Sequence, residues 1–226
     1  MHDTAATKVR VWDLPIRLFH WLLVALIAFS WWSGEEHRLE LHRASGYAIL
    51  GLIAFRVFWG FAGTRTARFA SFVKGPRAVA AYAGSLGTRK TSFVPGHNPL
   101  GGWSVVAMLV ALTLMVVAGL FSVDVDGWES GPLAYYISFD QGRAAAAIHE
   151  LLFNIILALI ALHVAAIAFY RLWKGHRLTG AMMSGKSRLD DGETSADNSR
   201  VPIWRFAIGV ILALAIAYAA SIGFRL

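Results

Sequence analysis

Four histidines, His20, His42, His149 and His163, lie in or at the ends of long apolar segments. An ionisable side chain at membrane depth is costly to keep there, and it marks a functional site by default. Neutral imidazole is also a common metal ligand. The chain has no cysteine. That excludes disulfides, iron–sulfur clusters, thiolate-bound haem and covalently attached c-type haem. Two imidazoles on one haem iron leave no open position, which suits electron transfer rather than oxygen chemistry. Four histidines that pair by depth would hold two such haems.

The elements that must position them are membrane helices. Of the 226 residues, 57% are hydrophobic and 15% are charged. Five apolar stretches, at 18–32, 44–62, 102–122, 144–170 and 203–224, are long enough to span a bilayer or nearly so. No alternating pattern of the kind a membrane barrel needs is present. The fold class expected is therefore an all-α membrane protein with five transmembrane helices. Residues 1–177 form the di-haem domain, 178–201 read as a flexible cytoplasmic linker rich in Gly, Ser, Asp and Lys, and 202–226 carry the extra helix.

Charge sets the orientation. Fifteen Lys and Arg fall in the N-terminal segment, the 63–101 loop and the 171–201 segment, against four (Arg38, Arg43, Arg143 and Arg225) on the opposite side. The positive-inside rule then puts the N-terminus in the cytoplasm and the C-terminus outside. The net charge of +7 is thus explained by topology and calls for no nucleic-acid partner. The first apolar stretch is long for a signal peptide and lacks a small-residue cleavage site, so it reads as a retained span.

On these oriented helices the histidines fall at two depths. His149 and His163 are 14 residues apart, nearly four helical turns, so they share one face and stand roughly 21 Å apart. His42 begins the second span at the level of His149, near the outer surface. His20 begins the first span at the level of His163, near the inner one. The pairs expected are His42–His149 and His20–His163. Arg56 follows His42 by 14 residues and so shares its face at the inner depth. A buried guanidinium needs an anion, and a haem propionate is the natural one. Gly34, Gly46 and Gly60 lie close to the same faces, where a macrocycle would approach the backbone.

Plainer readings compete for several of these residues. A lone histidine at a span end is ordinarily interfacial or hydrogen-bonded; the matched pairs favour ligation. For Arg56 the plainer reading is an interhelical donor to backbone carbonyls, and the propionate reading is favoured over it. Met108 and Met115 read as packing, Asn154 as an interhelical hydrogen bond, and Glu150 as an exposed neighbour of His149. Val79–Tyr82 in the basic loop suggests an amphipathic surface helix. His97, just before the third span, stands near the inner pair.

The stretches Val11-Trp12-Asp13-Leu14-Pro15-Ile16-Arg17-Leu18-Phe19-His20-Trp21, Leu41-His42-Arg43-Ala44-Ser45-Gly46-Tyr47, Phe55-Arg56-Val57-Phe58-Trp59-Gly60, Gly63-Thr64-Arg65-Thr66-Ala67-Arg68-Phe69 and Gly96-His97-Asn98-Pro99-Leu100-Gly101-Gly102-Trp103, with His149-Glu150 and His163, carry a resemblance. Over residues 9 to 177 the chain resembles the bacterial cytochrome b561 and nickel-hydrogenase cytochrome b family. The resemblance implies a four-helix transmembrane di-haem bundle in the bacterial inner membrane, with the fifth, C-terminal transmembrane helix outside it, and two haem b with axial ligands at His20, His42, His149 and His163. It also implies electron relay between the quinone pool (ubiquinone or menaquinone) and a periplasmic partner, either a c-type cytochrome or a nickel–iron hydrogenase. One branch of the family is a superoxide:quinone oxidoreductase, and Arg38 and Arg43 would attract such an anion at the outer face. For the quinone headgroup, His97, Asn98, Arg65 and Arg68 are inner-side candidates, with Arg43 an outer one.

Overall fold

The computed structural model describes residues 8–88, 96–176, 178–188 and 201–225. Its elements in chain order are β1 (Lys8–Arg10), α1 (Leu14–Glu35), α2 (Leu39–Ala62), α3 (Phe69–Phe72), α4 (Pro76–Gly84), α5 (Pro99–Phe121), α6 (Phe139–Leu172), α7 (Leu178–Ser184), β2 (Lys186–Arg188) and α8 (Ile203–Ser221). Five of these, α1, α2, α5, α6 and α8, are long and apolar enough to cross a membrane, so the all-α membrane fold stands.

Local chemistry fixes the helix ends. Asp13 accepts a hydrogen bond from the Ile16 backbone N–H at 2.8 Å and caps α1, with Pro15 in the first turn, where its missing N–H costs nothing. The helix stops at a tight turn: His37 takes a positive φ of 52°, and Arg38 N–H reaches back to the Ser33 carbonyl at 2.8 Å. That turn launches α2 at Leu39. Asn98 caps α5 through Gly101 N–H at 2.8 Å. Ser138 and Gln141 cap α6 reciprocally, at 3.3 and 2.9 Å. With 34 residues α6 is about 50 Å long, well beyond the roughly 30 Å hydrocarbon layer.

The chain divides into two compact units. One unit comprises Phe19–Val57, Ala107–Ile160 and Ala207–Leu226. Its core is Ile49 and Ile53 of α2, Ala111, Leu112, Met115 and Val116 of α5, and Ile156 of α6, with Leu23, Leu26 and Ile27 of α1 packed against them. Four helices thus share one core. The fifth, α8, packs on α2 at Gly51, where a Cβ would lie 2.8 Å from the Ala213 carbonyl oxygen. Small residues at such a crossing let two backbones approach closely, which drives association where the surroundings are as apolar as the helices.

The other unit comprises Met1–Leu18, Phe58–Val106 and Ala161–Phe206. Here Asp13, 8% exposed, also accepts from Trp59 Nε1 at 2.9 Å and Thr64 Oγ1 at 2.7 Å, so three donors surround a buried carboxylate. Thr66 Oγ1 donates to the Val11 carbonyl at 2.7 Å. The sequence around Trp12-Asp13 is therefore structural: it ties the start of α1 to the end of α2.

The linker expectation needs correction over its first part. Residues 178–184 form α7, and β2 pairs antiparallel with β1, Val9 opposite Ser187. Arg17 donates to the carbonyls of Met182 and Met183 at the end of α7, and the N–H groups of Val11 and Trp12 donate to the Gly185 carbonyl. Residues 189–200 of the linker lie outside the described residues. The amphipathic stretch near Val79–Tyr82 is α4, which has no fully buried residue.

Candidate functional site

Ring geometry and backbone acceptors define one site on α1, α2, α5 and α6, the helices that share the Ile49–Met115–Ile156 core. His42 stands on the first turn of α2 and His149 on the third turn of α6. Their ring centroids are 5.9 Å apart and their planes 79° apart.

Each ring is held by a third helix. His42 Nδ1 lies 2.9 Å from the Ser30 carbonyl oxygen of α1, and His149 Nδ1 lies 2.7 Å from the Met115 carbonyl oxygen of α5. A carbonyl only accepts, so both Nδ1 atoms carry the proton. Each Nε2 then keeps its lone pair. A protonated Nδ1 bound to a carbonyl and a bare Nε2 is the tautomer a metal-ligating histidine needs.

Glycines make room for these bonds. Gly34 comes four residues after Ser30, and a Cβ there would lie 3.2 Å from His42 Nδ1. Gly119 comes four residues after Met115, and a Cβ there would lie 3.0 Å from both Nδ1 and Cε1 of His149. The acceptor carbonyl and the glycine one turn later form a notch that seats the ring edge. Gly34 was expected to face a macrocycle; it faces the imidazole itself. Gly60 packs on the Phe69 ring, where a Cβ would lie 2.0 Å from a ring carbon, whereas a Cβ at Gly46 would meet nothing within 4 Å.

The donor set suits haem iron. Metal–imidazole bonds of about 2.0–2.1 Å on both sides of one atom would hold ring centroids roughly 6 Å apart. Among the described residues no three of His, Asp and Glu gather at a point, so this pair is not part of a zinc-like cluster.

His20 and His163 belong to different units. His20 stands on α1 with its ring edge-on to Trp21 at 4.9 Å, and His163 stands on α6. Arg56 is 3% exposed in α2. Asn154 does not bridge helices: its amide donates to the Glu150 carbonyl one turn earlier at 3.1 Å, on an exposed face. Met115 is a core residue, and its contribution to the site is its carbonyl.

The expected headgroup donors are largely engaged. Arg43 forms an ion pair with Glu129 of the loop after α5, both partly exposed. Asn98 caps α5 with its oxygen and donates its amide to Tyr170 Oη at 3.0 Å. Arg68 Nε donates to the Gly63 carbonyl at 2.9 Å, while Arg65 is exposed. His97 is flanked by the rings of Trp12 and Phe72, both at 4.7 Å. Tyr170 Oη also bonds Tyr82 Oη at 2.8 Å; burial first, and then this bond, hold the Tyr82 phenol above its ordinary range.

Sequence reasoning missed Ser30, Ser33, Gly119 and the Met115 carbonyl. A glycine four residues after the acceptor marks both carbonyls, at Gly34 and Gly119, and it carries meaning only once the partner helix is known.

A sequence model of the prokaryotic cytochrome b561 family matches residues 11–185. No curated protein and no solved structure matches the chain.

Proposed function

Because the chain belongs to the prokaryotic cytochrome b561 family, and so is a multi-pass membrane b-type cytochrome of electron transfer, we propose that it carries two haem b and relays electrons across the inner membrane between the quinone pool and a periplasmic redox partner. His42 and His149 are the axial ligands of the outer haem, and His20 and His163 those of the inner one. Arg56 supplies the counter-charge for a propionate at the inner depth. The N-terminus is cytoplasmic. The observation that carries the reading is the His42–His149 pair, 5.9 Å apart, with both Nδ1 atoms committed to carbonyls.

When bound, haem supplies one-electron chemistry that no side chain here provides. The chain's own residues do the rest. His42 and His149 present Nε2 lone pairs with fixed orientation. Ser30 and Met115 set the tautomer through their carbonyls. Ile49, Ile53, Leu112 and Ile156 keep water from the space between the helices. Iron held by two imidazoles would have no position open to oxygen or another small ligand.

The partner's nature is suggested by the loop after α5. Val125 is 72% exposed and Trp128 is 89% exposed, and Asp124, Asp126 and Glu129 flank them. Glu129 is bonded to Arg43, the residue after His42. An acidic rim around exposed apolar groups favours a partner with a basic face, such as a c-type cytochrome or a nickel–iron hydrogenase. The Arg43–Glu129 pair takes up one of the two arginines on which a superoxide:quinone reading drew; Arg38 lies over the Trp32 ring at 5.7 Å.

Reduced-minus-oxidised spectra of the purified protein test the reading. Two b-type components are expected, one of them lost in both His42→Ala and His149→Ala and the other lost in both His20→Ala and His163→Ala. A colourless protein, or loss of the same component in all four variants, would overturn it.

A further inference from the structure

Ser33 is fully buried, at 0% exposure, and it lies one turn from Ser30 on α1. Its hydroxyl donates to the Ser30 carbonyl oxygen at 3.0 Å. That same oxygen accepts from His42 Nδ1 at 2.9 Å. One carbonyl therefore serves two side-chain donors, one of which is the imidazole. We infer that Ser33 is a positioning residue that sets the electron-donating strength of His42, and through it raises the potential of the outer haem. This inference rests on the reading of His42 as an axial ligand.

The argument is electrostatic. An Nδ1–H bond to a strong acceptor pushes the ring towards imidazolate character and makes Nε2 more basic. A more basic axial ligand favours the ferric state, so the potential falls; hydrogen bonding around the ligands is one of the few levers a protein has on a haem. A second donor on the same oxygen withdraws electron density and weakens the bond to the ring. The His42 bond to the shared carbonyl is 2.9 Å, with Ser30 Oγ a further 3.3 Å contact of the same Nδ1, and the His149 bond to Met115, whose carbonyl has no such serine beside it among the described residues, is 2.7 Å. A serine also costs something in a buried helical position unless its hydroxyl is used, and here the hydroxyl is spent on the α1 carbonyl that accepts from His42.

The alternative is that Ser33 merely satisfies its own hydroxyl by bonding back within its helix. Such a role would alter stability and leave the potential in place. An optical redox titration of the full-length, haem-loaded protein separates the two. The outer component is first identified as the one missing in His149→Ala. In Ser33→Ala, which adds no bulk, that component should be roughly threefold less reduced at a fixed ambient potential near its midpoint, the factor expected when a hydrogen bond of ordinary net strength is redistributed. Its low-spin electron-paramagnetic resonance signal should shift with it, while the inner component stays put. Ser33→Thr keeps the hydroxyl and should restore the wild-type midpoint. Two unshifted midpoints in Ser33→Ala with both haems bound would overturn the inference and leave the ligand assignment intact. Equal shifts of both haems, or loss of the outer haem from Ser33→Ala, would overturn it too, since either points to a structural role. Absence of haem from the wild-type protein would instead overturn the reading on which it rests.

Discussion

Gly34 and Gly119 stand in the same relation to two different histidines. Each comes one helical turn after a carbonyl that accepts an imidazole Nδ1–H, and each leaves about 3 Å between a would-be Cβ and the ring: 3.2 Å at His42 and 3.0 Å at His149. The two notches lie on α1 and α5, the two helices that do not bear these rings. The His42–His149 pair is thus held by four helices, two carrying imidazoles and two orienting them. The close fit explains why small residues are needed there, since a helix surface otherwise keeps a neighbouring ring too far out for its edge to reach a carbonyl already inside the helix.

The first prediction follows from that fit. A methyl at Gly119 would sit 3.0 Å from two ring atoms, closer than ordinary van der Waals contact, so the ring must shift by a few tenths of an ångström. Gly119→Ala should weaken retention of the outer haem and broaden its spectrum. Gly119→Val should lower the haem-to-protein ratio from about two towards about one, because loss of an orienting contact costs roughly 10–100-fold in metal affinity. Haem content by pyridine haemochrome, with the inner component as internal reference, reads both. Gly46→Ala has no protein atom to strike within 4 Å, and its effect on the outer haem would report contact with the macrocycle instead.

Much of this was legible in the sequence, for a physical reason. Lipid demands apolar runs of fixed length, so five spans show plainly. Within them His20, His42, His149, His163 and Arg56 stand out because each is expensive there. The caps at Asp13 and Pro15 were equally readable, being local. What could not be read were relations between helices. Gly34 was visible as a small residue, but whether it faced a ring or a macrocycle depended on which helix stood opposite. Ser33 looked like any serine near a span end. Residues 178–188 have a linker's composition, yet they fold as α7 and β2, because β1 supplies strand partners and Arg17 caps the helix end from far away in the chain.

The second prediction concerns Asp13. Its buried carboxylate accepts three hydrogen bonds, from Ile16 N–H, Trp59 Nε1 and Thr64 Oγ1. Asp13→Ala removes a helix cap and leaves two side-chain donors without an acceptor. The expected loss is about 3 kcal/mol, from a cap worth about 1 and charge-assisted bonds worth about 1.5–3 before partial compensation. Asp13→Asn should cost less, because the Thr64 hydroxyl can turn to accept from the new amide while the amide oxygen still accepts from Ile16 or Trp59. Thermal unfolding in detergent, followed by helical circular dichroism, ranks the two. A milder effect for Ala than for Asn would contradict this account.

The third prediction concerns pH. Burial and the bond to Tyr170 raise the Tyr82 phenol above its ordinary value near 10. The folded state therefore favours the neutral phenol. Its hydrogen bond is fully present below the ordinary value and is lost only as pH rises through the higher folded value. Ultraviolet titration of tyrosinate should show one phenol lagging the exposed ones, and Tyr170→Phe should move it back towards them, since that variant removes the second cause while the first remains. A Tyr82 that ionised together with the exposed tyrosines would count against the packing of α4 described above.

The fourth prediction concerns α8. It is held to α2 at Gly51, where a Cβ would come within 2.8 Å of the Ala213 carbonyl oxygen and 3.3 Å of the Ala217 methyl. The nearer atom is backbone, so neither partner can yield by changing a rotamer. Tyr135 Oη also donates to the Gly223 carbonyl at 2.9 Å, and Arg225 lies over the Tyr135 ring at 4.0 Å, fixing the end of α8 to the loop after α5. If both ties hold the helix, Gly51→Leu should release its middle and Tyr135→Phe should loosen only its end. Gly51→Leu should lower thermal stability by roughly 1–3 kcal/mol, the usual cost of overpacking. Neither outer histidine contacts α8 through these groups, so both haem components should keep their spectra. Cysteine pairs placed across α2 and α8 should cross-link readily in the wild type and poorly in Gly51→Leu. Loss of the outer haem in that variant would show instead that α8 belongs to the haem-binding core.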